Sequence, residues 1–224
     1  MTGKPLLQLG AVIAILAAVL FAAAGTVHWT GAIVLLAAFG VGGLHMSLWL
    51  ARNDPALFKE RTALKGRTVP KFDRVLLPLQ NLILLFWILF MALDVRWHGT
   101  MQMPLWANLL GGIAILAGFA LVVLVMHQNT FATAIVKHQP ERGHKVIDSG
   151  PYAVVRHPMY AAAFLAYAAI PFALGSWRGL AGIVPTVLTL ALRTRFEENL
   201  LARELPGYCE YKTKVRCRFV PFVW

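Results

Sequence analysis

Charged residues are scarce in this sequence, and acidic residues are the scarcest. Of the 224 residues, only 14% are charged and 58% are hydrophobic. A water-soluble domain of this size usually carries nearly twice that charged fraction. The hydrophobic residues also form blocks long enough to cross a bilayer, which a soluble core does not need. The composition therefore excludes an ordinary soluble domain and indicates an integral membrane protein.

Cysteine is nearly absent as well. The chain has two, Cys209 and Cys217, both in a polar segment. Eight positions on a helix place two thiols on roughly one face but too far apart to bridge. The histidines do not pair with cysteine or acidic residues at metal-ligand spacing. We therefore predict reduced thiols on the cytosolic side of the membrane, no disulfide and no metal.

Basic residues outnumber acidic ones by 21 to 10 and concentrate in the gaps between the apolar blocks. If the N-terminus is cytoplasmic, every Lys and Arg except Arg96 and Arg178 lies on the cytoplasmic side, as the positive-inside rule requires. This distribution predicts a protein of the inner (cytoplasmic) membrane with both termini in the cytoplasm. It predicts membrane lipid as the partner of the basic loops and argues against nucleic acid.

Four apolar blocks occupy the first half of the chain, at about residues 5–25, 28–51, 75–97 and 104–126. Each is long enough to cross ~30 Å of hydrocarbon as a helix. The first could be a cleaved signal peptide, but it exceeds the ~7–15 residues of a typical signal core, so a retained helix is favoured. We treat residues 1–127 as a region of four N-terminal transmembrane helices.

Residues 128–224 form a second region with a different pattern. Two shorter apolar runs, at 159–174 and 180–192, are separated by a break rich in Pro and Gly and predict a helical hairpin. The segment from Arg193 alternates aromatic and basic residues, which is typical of an amphipathic cytosolic tail. The predicted fold class is an all-α integral membrane protein with five to six transmembrane helices.

The stretch GPYAVVRHPMY, residues 150–160, immediately precedes the hairpin. Pro158 fits the first position of a helix, and His157 before it is biased to an extended backbone. The positive end of the new helix then faces the cytosol beside Arg156, which makes a place suited to an anion. The second hairpin helix returns to the same face and emerges at Glu197 and Glu198. Cationic groups and two carboxylates are therefore expected to meet at one membrane surface.

A simpler interpretation of the same residues is also open. Arg156 is then a positive-inside anchor and His157 a helix cap. The two carboxylates form ordinary helix-surface ion pairs, Glu197 with Arg193 and Glu198 with Arg195.

Five short motifs follow one another in the second region, and their ordered set is more specific than any one of them. They are Gly150-Pro151-Tyr152, Arg156-His157-Pro158 with Tyr160, Glu197-Glu198, Gly207-Tyr208 with Tyr211, and Arg218 with Pro221. On these motifs the sequence from about residue 127 to residue 221 resembles the isoprenylcysteine carboxyl methyltransferase family, and more broadly the membrane phospholipid N-methyltransferases. Residues 54–77 also resemble the loop before the third helix of bacterial members. Ala162 departs from the glycine that small members often have at that position.

The resemblance implies a membrane enzyme that takes S-adenosylmethionine and methylates a lipophilic or lipidated acceptor. An isoprenylcysteine-like carboxylate is the favoured acceptor, and a phospholipid amine or a thiol stays open. The resemblance implies catalytic roles for Arg195, Glu197 and Glu198. It implies cofactor contacts for His144, Val146, Ile147, Gly150, Tyr152, Arg156, His157, Tyr160, Glu197 and Tyr208.

Two other functions compete with this interpretation. Membrane sterol-type reductases are similar in their C-terminal half but use NADPH, and they are usually longer. A transporter subunit or other non-enzyme is expected to carry charged or broken segments at mid-membrane. Here Gln80 and Asn81 are the only polar pair deep in a span. Both alternatives are disfavoured, and the sequence does not specify an oligomeric state.

Overall fold

The computed structural model describes residues 3–62, 69–99, 102–133 and 142–221. Residues 63–68 of the family-like 54–77 segment and the last three residues of the predicted tail lie outside this description. Within the described residues the chain forms eight α-helices and no strand. They are α1 (Gly3–Ala24), α2 (Thr30–Asn53), α3 (Pro55–Thr62), α4 (Asp73–His98), α5 (Leu105–Gln128), α6 (Pro158–Leu174), α7 (Ile183–Glu204) and α8 (Tyr208–Lys214).

Four of these helices, α1, α2, α4 and α5, are long and apolar enough to cross a membrane. They coincide with the four predicted blocks, which are thereby confirmed as helices. Large apolar side chains on their outer faces are exposed, including Leu7 at 76%, Phe86 at 66% and Ile113 at 60%. Faces of this kind are stable against lipid and not against water. An integral membrane protein is the architecture that these helices support.

The predicted hairpin is present, with a longer connection than expected. Helix α6 begins at Pro158, as predicted, and ends at Leu174, just before Gly175, whose φ of 77° is left-handed. A 3₁₀ turn, Arg178–Gly182, then delays the start of α7 to Ile183. Gly182 explains the extended turn, because a Cβ there would lie 2.1 Å from Trp87 Nε1 on α4. The connection is shaped by packing against a distant helix.

Helix α6 lies in the centre of the bundle, held by close backbone contacts. A Cβ on Gly111 of α5 would lie 2.3 Å from the Ala173 nitrogen, and one on Gly31 of α2 would lie 2.6 Å from the Leu174 carbonyl oxygen. Small residues allow such approach where helices pack in lipid. Ala162, the position that departs from the family pattern, is fully buried opposite Gly118. The glycine that allows α5 and α6 to approach closely here is Gly118 on α5.

A buried polar cluster closes the end of the bundle where α6 stops. Asp94, near the C-terminal end of α4, is 2% exposed. Its carboxylate accepts hydrogen bonds from Ser176 Oγ at 2.9 Å and Arg178 Nη1 at 3.0 Å. The cluster ties α4 to the α6–α7 connection. The start of α6, with the sequence motif, lies at the opposite end of the bundle.

Candidate active site

A cavity of about 430 Å³ opens where the N-terminal ends of α4 and α6 meet the C-terminal ends of α2, α5 and α7. One part of its wall is apolar and comes from the membrane helices. Another part is polar or aromatic and comes from the motif region. The apolar part includes Met46, Leu77, Phe119 and Val122, and the polar part includes Asn129, His144, Tyr152, Glu197 and Tyr208.

Most of the predicted site residues line this cavity. They are His144, Val146, Ile147, Tyr152, Arg156, His157, Tyr160, Glu197 and Tyr208. Gly150, Arg195 and Glu198 do not line it. Gly150 starts a 3₁₀ turn with φ of 57° and packs against Gln128, while Arg195 is exposed on α7. The cluster predicted at one membrane surface therefore forms, without Arg195 in it.

Glu198 is the centre of a buried cationic cluster behind the cavity wall. It is 2% exposed, and its Oε1 atom lies 2.7 Å from Arg156 Nε and 3.3 Å from His157 Nε2. Its Oε2 atom accepts a hydrogen bond from Arg218 Nε at 3.1 Å. The alternative surface pair of Glu198 with Arg195 is therefore wrong. Tertiary contacts supply Glu198 with buried partners, and these exclude the local one.

These partners keep Glu198 ionised. Burial alone would raise its pKa, but hydrogen bonds and charge from His157 and Arg156 outweigh burial and lower the pKa of Glu198 from 4.5 to about 2. The carboxylate is therefore a fixed negative charge at any physiological pH.

Arg156 joins the start of α6 to the segment that follows α8. Its Nη1 atom donates to the carbonyl oxygens of Val215 at 2.6 Å and Arg216 at 2.8 Å. The backbone N–H groups of Arg156 and His157 donate to the carbonyl oxygens of Cys217 and Arg218, both at 2.9 Å. Arg156 therefore organises the 215–218 segment around Glu198. It also lines the cavity, and its predicted contact with an anion stays a prediction.

Glu197, the neighbour of Glu198, faces the cavity. Its side chain is 19% exposed, and its Oε2 atom accepts a hydrogen bond from the hydroxyl of Tyr160. The ring of Tyr160 stacks on that of His157 with centroids 5.5 Å apart. The two adjacent glutamates therefore have different surroundings: Glu198 is enclosed by protein cations, and Glu197 is presented to the cavity.

Tyrosines form much of the remaining polar wall. The hydroxyl of Tyr152 accepts a hydrogen bond from Asn129 Nδ2 at 2.8 Å, and Tyr211 donates to the Tyr152 carbonyl oxygen at 2.7 Å. Burial is the main reason that the pKa values of Tyr152 and Tyr208 are raised, so both phenols stay neutral. The buried hydroxyl of Tyr208 and the Nε2 atom of Gln80 have no hydrogen-bond partner within the described part of the chain. Both residues line the cavity, where a bound molecule would satisfy them.

A family model for phospholipid methyltransferase matches residues 106–206. This region is similar to the phospholipid methyltransferases. The match covers α5, α6, α7 and the loop that carries His144, Tyr152 and the Arg156-His157-Pro158 motif. The resemblance inferred from the motifs is confirmed at the level of this family match. No curated protein matches the sequence.

The phospholipid methyltransferase match ends before Tyr208 and begins after α4, yet the cavity uses both flanks. Asp73 at the start of α4 is buried and accepts hydrogen bonds from Arg193 Nε at 2.8 Å and Nη2 at 3.0 Å. Gln80 on the same helix reaches the cavity beside Thr189. The sequence did not predict a role for Asp73, because a single acidic residue at the start of a helix gives no indication that it pairs with the distant Arg193.

Within the described residues, no group of three His, Cys, Asp or Glu side chains could hold a metal ion. Cys209 is exposed and Cys217 is half-buried, and neither forms a disulfide within the described residues.

Proposed function

We propose that this methyltransferase transfers a methyl group from S-adenosylmethionine to a lipophilic acceptor at the cytosolic face of the membrane, with an isoprenylcysteine-like carboxylate as the favoured acceptor. The observation that carries the proposal is the two-sided cavity. Its polar wall is built by the motif region, and its apolar wall by α2, α4 and α5. A cavity of this kind suits a polar cofactor on one side and a lipid chain on the other.

The polar wall fits the groups of the cofactor. S-adenosylmethionine carries an ammonium, a carboxylate, a sulfonium and an adenine. Glu197 offers a negative charge to the ammonium, and the neighbouring tyrosine rings suit the sulfonium or the adenine. The unpartnered hydroxyl of Tyr208 supplies a further donor. The segment His144–Ile147 is proposed to lie along the adenine, and Arg156 with His157 near the carboxylate.

The cofactor, when bound, supplies a methyl group that is already activated for displacement. The protein must then position the acceptor in line with that methyl group and exclude water. Met46, Leu77 and Phe119 are proposed to receive the apolar chain of the acceptor and keep that side of the cavity dry. Glu198 takes no direct part: it holds Arg156 and His157 in the wall.

A carboxylate acceptor requires the least catalytic help from the residues of the cavity wall. A carboxyl group has a pKa near 3.5 and is already a nucleophilic anion at neutral pH, whereas an alkylamine or a thiol must first lose a proton. Tyr152 and Tyr208 have raised pKa values and are not bases at neutral pH. A carboxylate is therefore the acceptor that needs no base from the cavity wall.

The proposed topology places the cavity at the cytoplasmic end of the bundle, with α6 and the first half of α7 completing six spans. The basic residues of α3 and of the segment after α7 then face the inner leaflet, in agreement with the positive-inside rule.

Calorimetric titration of the detergent-purified protein with S-adenosylhomocysteine, and separately with NADPH, tests the cofactor. We expect S-adenosylhomocysteine alone to bind. Glu197→Gln should weaken that binding roughly tenfold, the worth of one charge-assisted contact. Glu204→Gln, an exposed acid on the same helix, is the matched control and should bind as the wild type does. Binding of NADPH alone would contradict the proposal and indicate a reductase. Binding of neither compound would favour a protein that is not an enzyme.

Labelled methyl transfer then tests the acceptor. The protein in lipid vesicles should methylate a farnesylated cysteine with a free carboxyl group, and the product should release methanol under base. If the methyl group is transferred instead to phosphatidylethanolamine or to an alkanethiol, the proposed methyltransferase activity stands and the proposed carboxylate acceptor is wrong.

A further inference from the structure

Asp73 is the first residue of α4 and lies outside the region matched by the family model. Its side chain is completely buried, and its two oxygens accept separate hydrogen bonds from the Nε and Nη2 atoms of Arg193 on α7. Two parallel hydrogen bonds fix the plane of a guanidinium as well as its position. Asp73 therefore determines where the positive charge of Arg193 lies.

Arg193 in this position contacts the cavity wall beside Glu197. Its Cζ atom lies 5.4 Å from the centroid of the Tyr160 ring, and the hydroxyl of Tyr160 donates to Glu197. Arg193, Tyr160 and Glu197 all line the cavity. A continuous set of contacts therefore runs from Asp73 through Arg193 and Tyr160 to Glu197.

Arg193 also precedes Glu197 by four positions on α7, which is the spacing of a helix-surface ion pair. The two hydrogen bonds to Asp73 hold the guanidinium over the tyrosine ring. Without Asp73 this spacing would let Arg193 pair with Glu197, and that pair would neutralise the carboxylate that faces the cavity.

We propose that Asp73 is a positioning residue for the cofactor site, acting through Arg193 to keep Glu197 available to the ammonium group of the bound cofactor. This inference rests on the proposed function, in which Glu197 contacts that ammonium. It extends the site to α4, before the matched family region.

The test is a double-mutant cycle read by the affinity for S-adenosylhomocysteine, which carries the same ammonium group. Asp73→Asn keeps the shape of the side chain and removes its charge, and it should weaken binding about tenfold. In a Glu197→Gln background the same substitution should change affinity by less than about twofold, because Arg193 then has no carboxylate to neutralise.

Asp94→Asn is the matched control, since Asp94 is also a buried acid of α4 paired with an arginine, at the opposite end of the bundle. It should lower the unfolding midpoint and leave the affinity unchanged. Two results would overturn the inference and show that Asp73 is only a structural residue. One is that Asp94→Asn loses as much affinity for S-adenosylhomocysteine as Asp73→Asn does. The other is that Asp73→Asn lowers this affinity equally in the wild type and in the Glu197→Gln background.

The outcomes separate this inference from the proposed function. If the wild type binds S-adenosylhomocysteine and Asp73→Asn binds equally well, the inference alone fails. If the wild type does not bind, the proposed function fails and the inference with it. If Asp73→Asn does not fold, Arg193→Lys replaces it: it keeps one charged contact to Asp73, loses the second, and should weaken binding about threefold only while Glu197 is present.

Discussion

Arg156 and Glu198 are separated by 42 positions in the sequence, and their side chains meet at 2.7 Å with almost no exposure to solvent. The contact joins the start of α6 to the last turns of α7. Because Arg156 also holds the carbonyl groups of Val215 and Arg216, three separate parts of the chain converge on one buried ion pair.

Removing either partner of this pair should destabilise the fold. A buried charge left without its partner costs about 3–5 kcal/mol, so Arg156→Ala and Glu198→Ala should each lower the thermal unfolding midpoint in detergent by many degrees. Arg203→Ala removes an exposed arginine from the same helix and should leave the midpoint nearly unchanged. Equal midpoints for all three variants would show that the pair contributes nothing.

The stability contributed by Glu198 should depend on acid in a defined window. Its pKa is about 2 in the fold, against an ordinary value of 4.5. Between those values the unfolded chain binds a proton that the fold does not. The contribution is therefore fully present above about pH 4.5 and is lost as the pH falls to about 2, at about 1.4 kcal/mol per pH unit.

Unfolding of the wild type and Glu198→Gln, compared at several pH values from 6 to 3, measures this effect. The difference between the two proteins should be constant above pH 5 and shrink below it. A difference that does not change with pH would contradict the ionised state assigned to Glu198.

Removal of the hydroxyl group should affect stability differently at two tyrosines in the segment after α7. Tyr208→Phe removes a buried hydroxyl that has no partner in the described chain, so stability should hold or rise, while affinity for S-adenosylhomocysteine falls about three- to tenfold. Tyr211→Phe removes a donor to the Tyr152 carbonyl oxygen and should cost about 1 kcal/mol of stability. Unfolding and calorimetry on both variants provide the comparison, and an unchanged affinity in Tyr208→Phe would remove that hydroxyl from the site.

The contact between α5 and α6 should not tolerate a methyl group. Gly111→Ala places a Cβ 2.3 Å from a backbone nitrogen of α6, which cannot move aside as a side chain can, so a loss of about 1–3 kcal/mol or more is expected. Gly40→Ala is the control, because nothing lies within 4 Å of its Cβ. Thermal unfolding of both variants measures the difference, and equal midpoints would contradict the packing of α5 on α6.

Membrane orientation can be tested with the cysteines that the chain already has. In a Cys217→Ser variant the exposed Cys209 is the single thiol, and a membrane-impermeant maleimide should label it in inverted vesicles and not in intact cells. Trp177→Cys, made without the two native cysteines, lies at the opposite end of the bundle and should label only in intact cells. The reverse pattern would invert the proposed topology.

Hydrophobic blocks and helix-breaking residues allowed most of the helices to be predicted to within a few residues. The start of α6 at Pro158 follows from local chemistry, since proline is favoured at the first position of a helix. The start of α7 could not be predicted in the same way. Gly182 lies in the preceding turn because it packs on Trp87, and a contact between such distant residues leaves no local trace.

Most residues of the site could be predicted from the sequence, but which of them face the cavity and which lie behind its wall could not. Adjacent residues on a helix point about 100° apart, so Glu197 and Glu198 had to face different surroundings. Which of them meets the cavity depends on how α7 packs against α6, and only the structure supplies that. Arg195 has the right charge and spacing for the site, yet it lies on the exposed face.

The meeting of the 215–218 segment with Arg156 and Glu198 has a consequence for biogenesis. These residues follow every membrane helix in the chain, so they leave the ribosome after α1 to α7 have been synthesised. Until then Arg156 lacks two of its acceptors and Glu198 lacks Arg218. The part of the cavity wall that Arg156 forms is therefore completed only after α1 to α7 have been synthesised, when the 215–218 segment reaches it.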